Sequence, residues 1–262
     1  MRTRPSFQRR GAGPPLVLIH GLGGEKCVWE PVLEPLAAHH DVIALDLPGF
    51  GSSPPLPDGT VPTAAALARA VAELLDELEL DRVHVAGNSL GAWVALELAK
   101  AGRADSVAGL CPAGLWGAPV VRAGRPGPGR GQRLARLLRP LIPVLMLSRA
   151  ARRLVLSPFV AFPDRVPYRA AWRMISSYAR ATAYAATSTA MRQGHFTGAG
   201  AVEVPVTLAF GERDRLIRPT RTAIARARTV LLPGCGHIPM WDAPELVTQV
   251  LLSTTATAAA GP

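Results

Sequence analysis

Residues 81–100 read DRVHVAGNSLGAWVALELAK, and this stretch decides the fold class. Its first part is a short β-type run ending in glycine, and its last part is alanine-rich with helical apolar spacing. Between them stands Gly87-Asn88-Ser89-Leu90-Gly91, a G-x-S-x-G that must turn a strand into a helix within a few residues. So tight a turn strains the backbone of its central residue. Glycines at 87 and 91 remove the side chains that would collide where the chain approaches itself. Ser89 is then expected to project from the C-terminal edge of a sheet, the arrangement of a nucleophile elbow, with the Leu90 N–H beside it at the helix start.

Outward from this point the chain alternates. Apolar runs at 16–20, 42–46 and 107–111 read as strands, and segments 29–38, 63–80 and 90–101 carry helical spacing, with Thr63 as a helix start. Strand–helix alternation with short loops predicts a mostly parallel central sheet with helices on both faces. The pattern breaks near residue 114, where the Gly-Pro-rich VVRAGRPGPGRGQR leads into RLARLLRPLIPVLMLSRAARRLVL and a helical stretch over 168–191. Pro140, Pro143 and Pro158 interrupt any long helix there, so several short ones are expected. Alternation resumes with a strand at 204–210, a helix at 219–227, a strand at 229–232 and a helix at 243–252. The tail TTATAAAGP is expected to be disordered. The reading is one α/β core, 1–113 with 201–262, carrying an inserted, mainly helical cap over 114–200.

The charge of +10 follows the same division. Residues 106–202 hold fourteen arginines and a single acid, Asp164, whereas the rest of the chain is slightly acidic. Such a block suits an anionic substrate, an acidic protein partner such as a carrier protein, or a membrane surface, although only Lys26 and Lys100 stand against twenty-seven arginines, which also reads as codon bias. No nucleic-acid module accompanies the charge. No stretch of about 18 apolar residues argues for membrane insertion, and the cap's apolar stripes are expected to pack onto the core. The N-terminus does not read as a signal peptide, and Cys27, Cys111 and Cys235 form neither a disulfide framework nor a zinc spacing. A cytoplasmic protein with no metal is expected.

A serine hydroxyl needs a base to take its proton and a carboxylate to orient that base. His237 lies in the glycine-rich loop GCGHIPMWDAP directly after the last strand, while His84 falls inside a strand and His39 and His40 in a surface turn. Asp214 lies just beyond the strand VPVTLAF, on the same sheet edge, with Glu212 as the fallback acid. The other position that could supply the acid reads CPAGLWG and holds no carboxylate. Negative charge developing on a tetrahedral intermediate needs backbone donors; these are expected from Leu90 and from Leu22 in His20-Gly21-Leu22-Gly23-Gly24, with His20 bracing that loop. The loop lacks the lysine of a phosphate-cradling pattern.

HGLGG, DLPGFGSS (46–53), GNSLG, GERD and GHIPMWDAP together resemble the α/β-hydrolase superfamily, in particular its capped serine esterase and cofactor-free perhydrolase branch. The resemblance implies the triad Ser89, Asp214 and His237, structural support from His20, Gly21, Gly87 and Gly91, no organic cofactor, and cleavage of a carboxylic ester through an acyl-enzyme; an ester with an apolar acyl or aryl part is expected. Thioesterase action on carrier-bound acyl groups and carbon–carbon bond hydrolysis are the alternatives. A non-hydrolytic binding protein or cyclase is a further one, at odds with an intact triad. Epoxide hydrolases and haloalkane dehalogenases of this fold use an aspartate nucleophile, where this chain has Ser89.

Overall fold

The computed structural model describes residues 4–116, 130–219, 224, 225 and 227–259. Its strands are β1 (Phe7–Arg10), β2 (Pro15–Ile19), β3 (Asp41–Leu45), β4 (Val83–Asn88), β5 (Ala104–Leu110), β6 (Val206–Gly211) and β7 (Ala227–Leu232). They form one sheet in the order β1-β3-β2-β4-β5-β6-β7. Every neighbouring pair is parallel except β1 with β3.

The interior strands are mostly apolar because both faces are covered. Side chains alternate across the sheet, so Val17, Ile19, Ile43 and Leu45 enter the core shared with α2 (Ala64–Glu77) and α3 (Leu90–Lys100). Their neighbours Leu16, Leu18, Val42 and Ala44 enter the opposite core, shared with α1 (Glu30–Ala37) and α9 (Pro244–Ala259). Helix α2 starts where its cap residue predicts: the Thr63 hydroxyl accepts from the Ala66 N–H at 3.1 Å.

Between β5 and β6 lie α4 (Arg130–Leu137), α5 (Ile142–Leu145), α6 (Arg149–Leu156), α7 (Tyr168–Arg180) and α8 (Tyr184–Gln193), short helices as the prolines predict. Helices α4 to α7 share a small core of their own, built on Ile142, Met146, Leu156, Val160 and Ala171, whereas Tyr184 and Met191 of α8 pack against the core shared with α2 and α3. Ion pairs from Arg173 to Glu30 and from Arg180 to Glu25 tie α7 to the segment after β2.

Three expectations need correction. The tail is not disordered through residue 259, because α9 continues to Ala259, with Thr254 bonded to Thr207 and Thr255 to the His40 ring. His40 is accordingly buried rather than in a surface turn. Strand β1, with three polar residues of four and at the sheet edge, went unread. The helix expected at 219–227 falls largely outside the described residues.

Candidate active site

The sheet order places a crevice where the site residues gather. From β2 the chain goes outward to β3, and then returns past β2 to β4, so the connections leaving β2 and β4 diverge. In open parallel sheets ligands bind outside the strand ends at such a switch point. The loop after β2 is 20–24 and the turn after β4 is Ser89.

Ser89 has φ 55° and ψ −114°, a left-handed conformation that costs an L-residue about 1–3 kcal/mol. Two glycines make it sterically feasible. A Cβ at Gly87 would strike the Gly91 carbonyl, and one at Gly91 would strike the Ile19 carbonyl. The Ser89 amide donates to the Leu110 carbonyl at 2.8 Å and its own carbonyl accepts from Ala113, so β5 also holds the turn. Because α3 starts at Leu90, that residue's N–H has no carbonyl of the helix to bond and adds to the positive end of the helix.

His20, fully buried, organises the facing loop. Its Nε2 accepts from the Leu47 N–H at 2.9 Å, which puts the ring proton on Nδ1, within 2.7 Å of the Gly21 carbonyl. Burial holds its pKa below the ordinary histidine value, against the pull of Asp46, so the ring is neutral. Gly21 packs on the Ser89 Cβ, and Leu22 lines the cavity above it. Asp46 fixes the next turn, taking the Lys26 N–H at 2.7 Å, the Lys26 ammonium at 2.6 Å and the Ser52 N–H at 2.9 Å.

His237 and Asp214 meet at the far side: Nδ1 lies 2.8 Å from Oδ2, with the carboxylate side chain fully buried. Burial by itself would raise the Asp214 pKa, but the hydrogen bond and charge of His237 and the N–H groups of Ile217 and Leu216 outweigh it and hold the pKa below its ordinary value. The fallback acid is turned elsewhere, since Glu212 accepts from Gly234 N–H at 2.7 Å. Cys111, at the end of β5, packs its buried thiol beside Asp214, and burial followed by that charge pushes its pKa well up. Cys111, Asp214 and His237 are the described residues whose ligand atoms cluster closely enough to hold a metal ion. The short Asp214–His237 contact is, however, already satisfied as a hydrogen bond.

Two residues that sequence reasoning passed over position the histidine loop. Asn88 Nδ2 donates to the His237 carbonyl at 2.8 Å, tying the turn at Ser89 to that loop. Asp242 accepts from the N–H groups of Gly236, Ala161 and Phe162 at 2.8–2.9 Å, clamping the loop to the segment after α6. The place of Asp242 five residues after His237 in GHIPMWDAP was the available signal; Ala161 and Phe162 are distant in sequence and gave none.

Ser89, His237 and Leu22 open on a common cavity of about 560 Å³. Val28, Trp116, Phe159, Met191 and Ile238 give it apolar walls, and Ser188, Thr189, Arg192 and Gln193 give one polar side from α8 and its end. Among the described arginines, Arg192 is the one lining this cavity. Phe159 lines this cavity, whereas Met146 is buried in the helical core and Trp172 lines a separate surface groove.

A family model described as the alpha/beta hydrolase family matches residues 16–250. The chain is 33% identical over 213 residues to the epoxide hydrolase EphH of Mycobacterium tuberculosis, covering 73% of this chain and 94% of that one. It is 43% identical over 94 residues to a pimeloyl-(acyl-carrier protein) methyl ester esterase of Aeromonas salmonicida, 36% of this chain and 35% of that relative. The enol-lactonase from Burkholderia xenovorans LB400 has the same fold, with a TM-score of 0.75 at 22% identity over 97% of each chain. The chain belongs to the alpha/beta hydrolase family and is a hydrolase.

Proposed function

We propose that the protein hydrolyses a carboxylic ester through an acyl-enzyme on Ser89. The observation that carries this reading is the buried Asp214–His237 hydrogen bond at 2.8 Å in the wall of the cavity that also holds Ser89. With Nδ1 committed to the carboxylate, Nε2 is the nitrogen left to take a proton. As Ser89 Oγ attacks the ester carbonyl, His237 accepts its proton and Asp214 stabilises the resulting imidazolium. The amides of Leu22 and Leu90 receive the oxyanion; such donors are worth on the order of 3 kcal/mol each. His237 then protonates the leaving alcohol, and water repeats the steps on the acyl-enzyme.

The name of the EphH relative raises epoxide opening, and elementary chemistry argues against it here. An aspartate nucleophile gives an alkyl ester, which water cleaves at the carbonyl carbon. A serine would give an ether, for which His237-activated water has no carbonyl to attack. The apolar cavity walls favour an acyl or aryl group of moderate size, and residues 114–200 are proposed to act as the cap that shapes it. The kinetic test is hydrolysis of p-nitrophenyl butyrate by wild type and Ser89→Ala. Loss of turnover in a variant with an unchanged circular dichroism spectrum supports the reading, and wild-type rates in the variant refute it.

A further inference from the structure

The helices α4 to α6 leave an unusual surface. Seven of the eleven large apolar side chains that stand exposed among the described residues fall between positions 134 and 154. Ile142 and Met146, one helical turn apart, are the buried face of α5 and supply its contact with the helical core. The seven exposed side chains, among them Leu137 (77% exposed), Val144 (66%) and Leu154 (78%), have no place in that core. An exposed apolar patch of this kind marks a contact surface. Arginines are interleaved with it. Arg133, Arg136, Arg139 and Arg149 are exposed and make no ion pair among the described residues. No acid occurs between Asp105 and Asp164. Three of these arginines line a surface groove with Trp172 that shares no lining residue with the cavity above Ser89.

We propose that this face docks on the surface of an anionic lipid bilayer, with the leucines entering the acyl boundary and the arginines meeting lipid phosphates. Charge complementarity selects the occupant. A second copy would bring two uncompensated arginine sets together, and a purely electrostatic partner would leave the exposed leucines in water. Short helices carrying leucine beside arginine suit an interface that is apolar below and anionic at the level of the headgroups. The arginine stems extend the apolar area while their guanidinium groups stay at the phosphates. No helix of the described residues is long and apolar enough to cross a membrane, so the contact is peripheral. It does not depend on the ester reading of the Ser89 cavity.

The test is cosedimentation of the full chain with vesicles of equal parts phosphatidylglycerol and phosphatidylcholine, against vesicles of phosphatidylcholine alone. Sedimentation with the anionic vesicles only, weakened by salt, is expected. Combined Leu137→Ser, Leu147→Ser and Leu154→Ser changes should lower partitioning by roughly tenfold or more, because each removes apolar area from the interface. Arg133→Gln with Arg139→Gln should lower it and flatten the salt dependence. Since all these side chains are exposed, an unchanged melting temperature certifies each variant. Wild type left in the supernatant with both vesicles, binding indifferent to the leucine changes, or binding to an acidic carrier protein without binding to vesicles would each overturn the proposal.

Discussion

The sheet edge at Ser89 and the helical surface over 130–154 are built from opposite materials. At the edge polar groups are buried and paired: Asp214 takes the His237 ring and two amides, Asp242 takes three amides, and both His20 nitrogens are engaged. On the helices, leucines stand in solvent, and Arg133, Arg136, Arg139 and Arg149 are exposed with no ion pair among the described residues. Charge-assisted hydrogen bonds to backbone amides fix atoms to a fraction of an ångström, which acyl transfer requires. Unpartnered leucine and arginine fix nothing, and suit a partner with no set geometry.

The comparison breaks first at the triad. Ser89→Ala or His237→Ala should lower kcat for p-nitrophenyl butyrate by about four orders of magnitude or more, while the leucine variants of the helical surface retain wild-type kcat on this soluble substrate. Next, Asp214→Asn should cost about three to four orders of magnitude, and Glu212→Gln less than about tenfold; comparable losses would mean the acid is misassigned. Asp242 contacts no substrate in this account. Asp242→Ala should lower kcat by about ten- to a hundredfold through misplacement of His237, with a smaller change in KM, and should lower the melting temperature.

A stability pair sharpens the contrast between buried and exposed leucines only two residues apart. Leu156→Ala should destabilise by about 2–5 kcal/mol in denaturant unfolding, and Leu154→Ser should stay within about 0.5 kcal/mol. Leu156 is fully buried and Leu154 is 78% exposed.

The smallest effect is that of pH on stability. His20 and Asp214 both have pKa values held below their ordinary ones in the folded state. The unfolded chain therefore binds their protons first as pH falls. The contribution of His20 is present above its unfolded value of about 6.5 and is lost as pH falls through and below it. That of Asp214 is lost lower, below about pH 4. Thermal unfolding midpoints should decline in these two windows, and a midpoint that rose below pH 6 would contradict the neutral, buried His20.

The strands that carry the site were legible because a strand covered on both faces is a nearly continuous apolar run, and 16–20 or 107–111 can hardly be read otherwise. The turn at Ser89 was legible because close backbone approach leaves glycine as its trace. What was missed depends on partners far along the chain. FQRR at β1 has a weak apolar signal and is a strand only because β3 offers an edge to pair with. TTATAA lacks an apolar stripe, and Thr254 and Thr255 are buried with hydrogen bonds to Thr207 and His40. Asp242 is one carboxylate among nineteen acidic residues until the fold brings three amides to it. The helical stripes were expected to pack on the core; Ile142, Met146 and Leu156 instead form a cluster of their own, and the leucines between them face outward.

The central claim, that Ser89 is a nucleophile activated by His237, is tested most directly by treating the folded protein with a fluorophosphonate and mapping the adduct by peptide mass spectrometry. The account predicts a single adduct on the peptide containing Ser89, absent in Ser89→Ala and strongly slowed in His237→Ala. An unlabelled Ser89 in folded wild type, or labelling at an unchanged rate without His237, would contradict it.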